Sequence, residues 1–96
     1  MLGVGLVRLR VALGDVIRDV RQARGLTLRD VSVRGTVALG YISEVERGHK
    51  EVSSEVLENI ALALNVPVSD LVVEAGRRLA EYDLGLRFES ELLVTT

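Results

Sequence analysis

Residues 27–48 contain two short amphipathic segments joined by a very tight connection, and this constrains the fold more than any other stretch of the chain. The first segment runs from Thr27 through Leu28, Arg29, Asp30, Val31, Ser32, Val33 and Arg34 to Gly35. Thr27 is a strong N-cap, and Asp30 three residues later approximates a capping box. Val31 is the inward residue. Ser32 and Gly35 are small, which predicts close approach of the next helix. Thr36 and Val37 make the turn. The second segment spans roughly 39–47, with Ile42 and Val45 as its inward stripe. Gly48 closes it, because glycine enters the left-handed region without a steric penalty.

Three further helical patterns surround this pair. Leu13, Val16, Ile17, Val20 and Arg24 recur at steps of three and four, with Arg18, Asp19 and Gln22 on the other face. Gly25 suits the end of that helix, predicted over 13–24. Ser53 caps a segment whose apolar face is Val56, Leu57, Ile60, Ala61 and Leu64, and Asn65 ends it. Pro67 blocks continuation, and Ser69 is the expected cap of the last helix. Beyond it Val72, Ala75, Leu79, Tyr82 and Leu86 form a 3.5-residue seam suited to a paired helix. The same spacing also describes a single helix packed on its own domain. Gly76 weakens this helix by about 1 kcal/mol, and Gly85 is its expected end.

Residues 2–11 stay open. Val7, Leu9 and Val11 alternate with Arg8 and Arg10, which fits a short strand, a loose arm or an early start to the first helix. The tail from residue 84 has both alternating and helical features. The expected architecture is all-α, a five-helix domain. Residues 1–11 are an N-terminal arm, 12–75 the domain, and 76–96 an extension expected to dimerise.

Composition narrows the class. The 96 residues allow one domain, and 48% apolar with only 3% aromatic content implies a core of Val, Leu, Ile and Ala. The absence of Cys excludes thiolate chemistry and points to the cytoplasm. No apolar run approaches the ~20 residues that span a membrane. The apolar start is interrupted by Arg8 and Arg10, which is not a secretory pattern. The net charge of -2 is unevenly distributed. Residues 1–40 carry seven Arg against three acids, and residues 51–96 carry three Arg against nine. A polyanion responds to the local field, and the basic half contains the two short helices. The same charges also serve as solubilising surface.

Catalytic chemistry has no candidate. His49, the only His, follows Gly48 in a loop with no identifiable carboxylate or nucleophile partner. One His with scattered carboxylates lacks metal-ligand spacing, so no metal and no cofactor are expected. Leu2-Gly-Val-Gly-Leu is not a phosphate loop, since no Gly-Lys-Ser/Thr follows.

A helix-turn-helix, by contrast, places its second helix in a DNA major groove. The groove-facing residues are then Leu39, Gly40 and Tyr41, with Ser43 and Glu44 one turn on. Glu44 suits cytosine N4, Leu39 a thymine methyl, and Ser43 either role. Alternatively, Leu39 and Tyr41 complete the core while Ser43 and Glu44 are solvated. Phosphate contacts are expected from Thr27 at the start of one helix and from Ser53 and Ser54 at another. Arg29, Arg34, Arg47, His49 and Lys50 supply the surrounding positive charge.

The stretch from Leu13 to Leu71 resembles the XRE, or lambda-repressor-like, family of five-helix DNA-binding domains. Within it, Leu39-Gly-Tyr-Ile-Ser-Glu-Val-Glu-Arg-Gly-His-Lys-Glu-Val-Ser-Ser-Glu55 resembles the Clp-protease gene regulators of actinobacteria. Gly14-Asp-Val-Ile-Arg18 and Thr27-Leu-Arg-Asp-Val-Ser32 agree with it. The resemblance implies a homodimeric transcription factor that activates Clp protease and stress genes, with RNA polymerase as a further partner. It implies base contacts at Leu39, Gly40, Tyr41, Ser43 and Glu44, and an ion pair between Arg21 and Glu46. Three positions depart from the family pattern: Ala38 stands where Ser or Thr caps the reading helix, Gly35 where a larger residue is usual, and His49 where Arg or Gln is usual.

The sequence therefore reads as a dimeric, sequence-specific DNA-binding regulator on a pseudo-palindromic operator. Its rival is a helical protein-interaction adaptor that keeps the fold without reading DNA. The acidic total, Ala38 and the donor-poor reading face favour the adaptor. The basic first half and the residues 44–50 favour the regulator.

Overall fold

The computed structural model describes the backbone of residues 2–95 and the side chains of residues 8–84. Its elements are α1 (Leu2–Ala23), α2 (Leu28–Gly35), α3 (Leu39–Glu46), α4 (Ser54–Leu64) and α5 (Val68–Thr95), with no strand among the described residues. No single helix among them is long and apolar enough to cross a membrane.

The first four helices end in the same way. At the end of α1 the Leu26 amide donates to the Arg21 carbonyl and the Gly25 amide to that of Gln22, each at 3.0 Å. The matching pairs are Val37 to Ser32 and Thr36 to Val33 after α2, and His49 to Glu44 and Gly48 to Val45 after α3. After α4 they are Val66 to Ala61 and Asn65 to Leu62. Each is a Schellman closure, which needs one left-handed residue. Those residues are Gly25, Thr36, Gly48 and Asn65, with φ of 68°, 53°, 77° and 58°. Thr36 is the unusual member, because a β-branched residue is strained at positive φ.

Ile17, Val31, Ile42, Ile60, Leu64 and Leu71 are fully buried, and with Val16, Val45 and Leu57 they form the shared core. Two glycines set how closely helices meet. A Cβ on Gly14 would lie 2.3 Å from the Val45 carbonyl oxygen, so α1 lies directly against the end of α3. A Cβ on Gly35 would lie 2.9 Å from the Asn59 oxygen. The small residues of α2 therefore do not serve an approach by α3, as the sequence suggested. Gly35 admits α4, and the Ser32 hydroxyl ties the turn by donating to the Val37 carbonyl at 2.6 Å.

At the helix ends one open reading resolves and two expectations change. Residues 2–11 belong to α1, so the division at residue 11 does not coincide with any break in secondary structure. Leu9 and Val11 are both 42% exposed, so their alternation never marked a buried strand face. Ser69 does not cap α5, which begins at Val68 with the Asp70 amide donating to the Pro67 carbonyl at 3.0 Å. Nor does Gly85 end it, since α5 runs on to Thr95.

The seam on α5 is divided. Ala75 is buried in the domain's own core, so it is not available to a second chain. Leu79 lines a cavity of about 340 Å³ against Val11 and Ala12 of α1. Arg8 of α1 lies 4.6 Å over the Tyr82 ring, and Arg78 pairs with Asp19 at 2.9 Å. These contacts make α1 and α5 an antiparallel pair within one chain. Val72 and Tyr82 remain exposed. The Leu86 side chain lies outside the described residues.

Candidate nucleic-acid interface

Helix α3 is anchored beneath and open above. Ile42, Val45 and Glu46 are buried, while Leu39 and Gly40 are exposed and Ser43 and Glu44 half-buried. A Cβ on Gly40 would meet nothing within 4 Å, so the backbone there faces open space. Ala38 makes no side-chain cap, so the first-turn amides of α3 have no side-chain acceptor. Such amides can serve an external acceptor.

Tyr41 is divided between two roles. Its ring packs on the core and its hydroxyl donates to the Glu51 carbonyl, so the phenol is already engaged. The loop carrying that carbonyl is clasped from α1, where Arg10 Nη2 reaches Glu51 Oε1 at 2.8 Å. Glu44 is engaged as well. One carboxylate oxygen accepts from Arg47 Nη1 at 3.0 Å, and the other lies 3.0 Å from His49 Nδ1. The hydrogen bond with His49, then the positive charges, hold the Glu44 carboxyl below its ordinary value. The sequence reading found no carboxylate partner for His49, and Glu44 is that partner. The α3 closure at Gly48 folds the chain back, bringing residue 49 over residue 44.

The phosphate candidates occupy two helix starts, the last turn of α2 and one loop. Thr27 Oγ1 accepts from the Asp30 amide at 3.0 Å, and the Thr27 amide donates to Asp30 Oδ2 at 2.8 Å, completing the capping box. That amide hydrogen bond is the main cause of the lowered Asp30 pKa. Ser53 caps α4 by accepting from the Val56 amide at 3.2 Å, and Ser54 opens the helix. Arg29, Arg34 and Lys50 are exposed and form no ion pair among the described residues.

Arg21 and Glu46 meet through Nε at 2.6 Å and Nη2 at 2.9 Å, and Arg21 Nη1 donates to the Leu26 carbonyl at 2.9 Å. The hydrogen bonds to Glu46, and then its charge, raise the Arg21 pKa above its ordinary value, against the opposing effect of burial. The pair joins the end of α1 to the end of α3 and so fixes the angle at which α3 is presented.

One residue escaped the sequence reading. Arg18, placed by the sequence only on the face of α1 away from the core, lines a cleft of about 210 Å³ with Arg21, Leu28, Ser43, Glu46 and Arg47. Its spacing of three from Arg21 puts both on one helical face, and this was the available signal.

Known proteins share this fold. A helix-turn-helix family profile matches residues 17–71. The transcriptional regulator ClgR of Mycobacterium tuberculosis (strain ATCC 25618 / H37Rv) is 49% identical over 74 residues. That alignment covers 77% of this chain and 66% of the relative's length. SinR of Bacillus subtilis (strain 168), an HTH-type transcriptional regulator, is 32% identical over 83 residues, covering 85% of this chain and 73% of that one. The crystal structure of the clp gene regulator ClgR from Corynebacterium glutamicum superposes with a TM-score of 0.76 at 39% identity, covering 91% of this chain and 93% of that one. The chain belongs to the XRE-type helix-turn-helix family of DNA-binding transcriptional regulators and is a homologue of ClgR.

Proposed function

We propose that this protein is a cytoplasmic, homodimeric activator of Clp protease and stress genes that binds a pseudo-palindromic operator. The observation that carries the DNA-reading role is the open first turn of α3. Leu39 and Gly40 are exposed there, and the basic side chains Arg29, Arg34 and Lys50 on neighbouring segments are free of ion pairs among the described residues. Leu39, Gly40 and Ser43 read base edges. Tyr41 and Glu44 do so by exchanging their present partners for bases. Thr27, Arg29, Arg34, Arg47, His49, Lys50, Ser53 and Ser54 bind the backbone. The regulated genes are suggested by the name of the Corynebacterium glutamicum relative, a clp gene regulator. RNA polymerase is the further partner that activation requires.

Assembly rests on α5. Residues 12–75 form the DNA-binding unit, and residues 76–96 carry the second chain. The exposed Tyr82 in this segment and Val72 just before it support this, together with Leu79 at the edge of the α1 cavity.

Selection of bound duplexes from a random pool, using the full chain, tests the proposal. The expected product is a two-fold motif with half-sites about 34–36 Å apart, because a symmetric dimer meets one face of B-DNA at each helical turn. Sedimentation should show a dimer that Val72→Glu weakens. A chain that enriches no duplex at physiological salt, and whose binding no α3 substitution alters, is instead the adaptor.

A further inference from the structure

The cleft where α1, α2 and α3 meet holds more positive charge than the fold uses. Its lining contains three guanidinium groups, from Arg18, Arg21 and Arg47, and one carboxylate, from Glu46. Both Glu46 oxygens are taken by Arg21, at 2.6 and 2.9 Å. That pair is therefore satisfied within itself. Arg18 is exposed and has no carboxylate partner among the described residues. Arg47 makes a single 3.0 Å contact with Glu44 while its side chain is 63% exposed. Exposed pairs of this kind are weak and exchange readily.

We infer that this cleft seats one backbone phosphodiester of the bound duplex, with Arg18 and Arg47 as cationic ligands and the Ser43 hydroxyl as a third donor; the assignment rests on the DNA-reading role proposed above. A phosphodiester offers two non-bridging oxygens, which suits the planar forks of two separate guanidinium groups. The volume of about 210 Å³ holds such a group and leaves one side open to the rest of the strand. Ser43 lies one turn beyond Leu39 and Gly40, so the cleft borders the part of α3 that faces the groove. Leu28, at the start of α2, also lines the cleft. Helix α1 thereby becomes a DNA-contacting element through Arg18, beyond its structural role through Arg21.

The test uses the full chain and the duplex selected above. Arg18→Ala should weaken binding to operator and non-operator duplexes alike, by about fivefold at 0.15 M salt, and should flatten the plot of log K against log salt by about 0.9. Arg18→Lys should keep the slope. Because Arg18 is exposed, the variants should keep the wild-type far-UV spectrum. Titration of inorganic phosphate into the DNA-free chain should shift the Ser43 amide and the Arg18 Nε resonance saturably in 15N spectra, and Arg18→Ala should abolish the Ser43 shift. An Arg18→Ala chain with the wild-type slope overturns the cleft and leaves DNA reading intact, as does a Ser43 shift that survives the substitution. A wild-type chain with no preference for any duplex overturns both.

Discussion

Arg21 and Glu46 are joined by two parallel hydrogen bonds, with side chains only 12% and 6% exposed. A forked pair this well shielded fixes direction as well as distance. Removing one partner strands the other charge. Glu46→Ala should therefore destabilise the fold by about 3–5 kcal/mol, the range found for broken buried pairs. Urea denaturation measures it directly, and an unchanged midpoint would mean that the pair contributes nothing.

Thr36 predicts a gain. Its left-handed backbone costs a β-branched residue about 1–2 kcal/mol relative to glycine. Thr36→Gly recovers that strain, offset by about 0.5–1 kcal/mol of added unfolded-state entropy. Thr36→Asn avoids most of the offset. Both variants should melt above wild type, Asn more so; a lower melting temperature for both would show that the threonine is unstrained.

Two glycines one helix apart should respond oppositely. Gly14→Ala forces a Cβ against the Val45 and Glu46 carbonyl oxygens, at 2.3 and 2.8 Å. It should cost about 1–3 kcal/mol, as overpacking does. Gly40→Ala meets no obstruction and should raise stability by up to about 1 kcal/mol through helix propensity. On the proposed DNA-reading role it should nevertheless weaken operator binding, because the added methyl would project where a base edge approaches. Stability and affinity rising together at Gly40 would remove it from the interface.

On the proposed function, Lys50 contacts a phosphate and Glu44 a base, and their substitutions should respond differently. Lys50→Ala should weaken every duplex alike and reduce the salt slope by about 0.9, the value of one neutralised phosphate. Glu44→Ala should relax preference at one base pair, worth about 1–3 kcal/mol, with a slope little changed. Binding profiles over single-base operator variants would reveal an exchange of these behaviours.

Acid should loosen α5 through Glu74. Hydrogen bonds from Arg77 and then Arg78 hold its carboxyl down from 4.5 to about 2. A depressed folded-state value means that the contribution is complete above the ordinary pKa and is lost as pH falls from 4.5 toward 2. Denaturation of wild type at about pH 5 and about pH 3 should show a decline that Glu74→Gln reduces. An equal decline in both proteins would exclude Glu74 as its source.

Particular residues show how far the sequence could be read. Gly25, Gly48 and Asn65 announce three helix ends, because each tolerates positive φ. Thr36 marks the fourth, and it was recognisable as a turn but not as a left-handed residue, since threonine rarely adopts that conformation. The capping box at Thr27 depends on local spacing and was legible. Gly85 misled because a glycine ends a helix only where the following residues cannot continue it, and α5 continues. Arg18 and the contact of His49 with Glu44 were hidden for a common reason. Each depends on how separate segments are brought together, by packing for the first and by the Gly48 reversal for the second.

Helix α1 has a mechanical consequence. It carries Arg8 against α5 at one end and Arg21 against α3 at the other. Thirteen residues separate them, about 20 Å at 1.5 Å per residue. Gly14 rests on the end of α3 with no space between, which makes that contact a fulcrum. Gly14 and Arg21 lie seven residues apart, about 10 Å, so a tilt of about 5° imposed on α5 and passed to α1 would move the far end of this rod by about 0.9 Å. That displacement exceeds the tolerance of a hydrogen bond to a base edge. Whatever grips α5 therefore also sets the aim of α3, so in the proposed dimer joining two chains and addressing DNA become one adjustment.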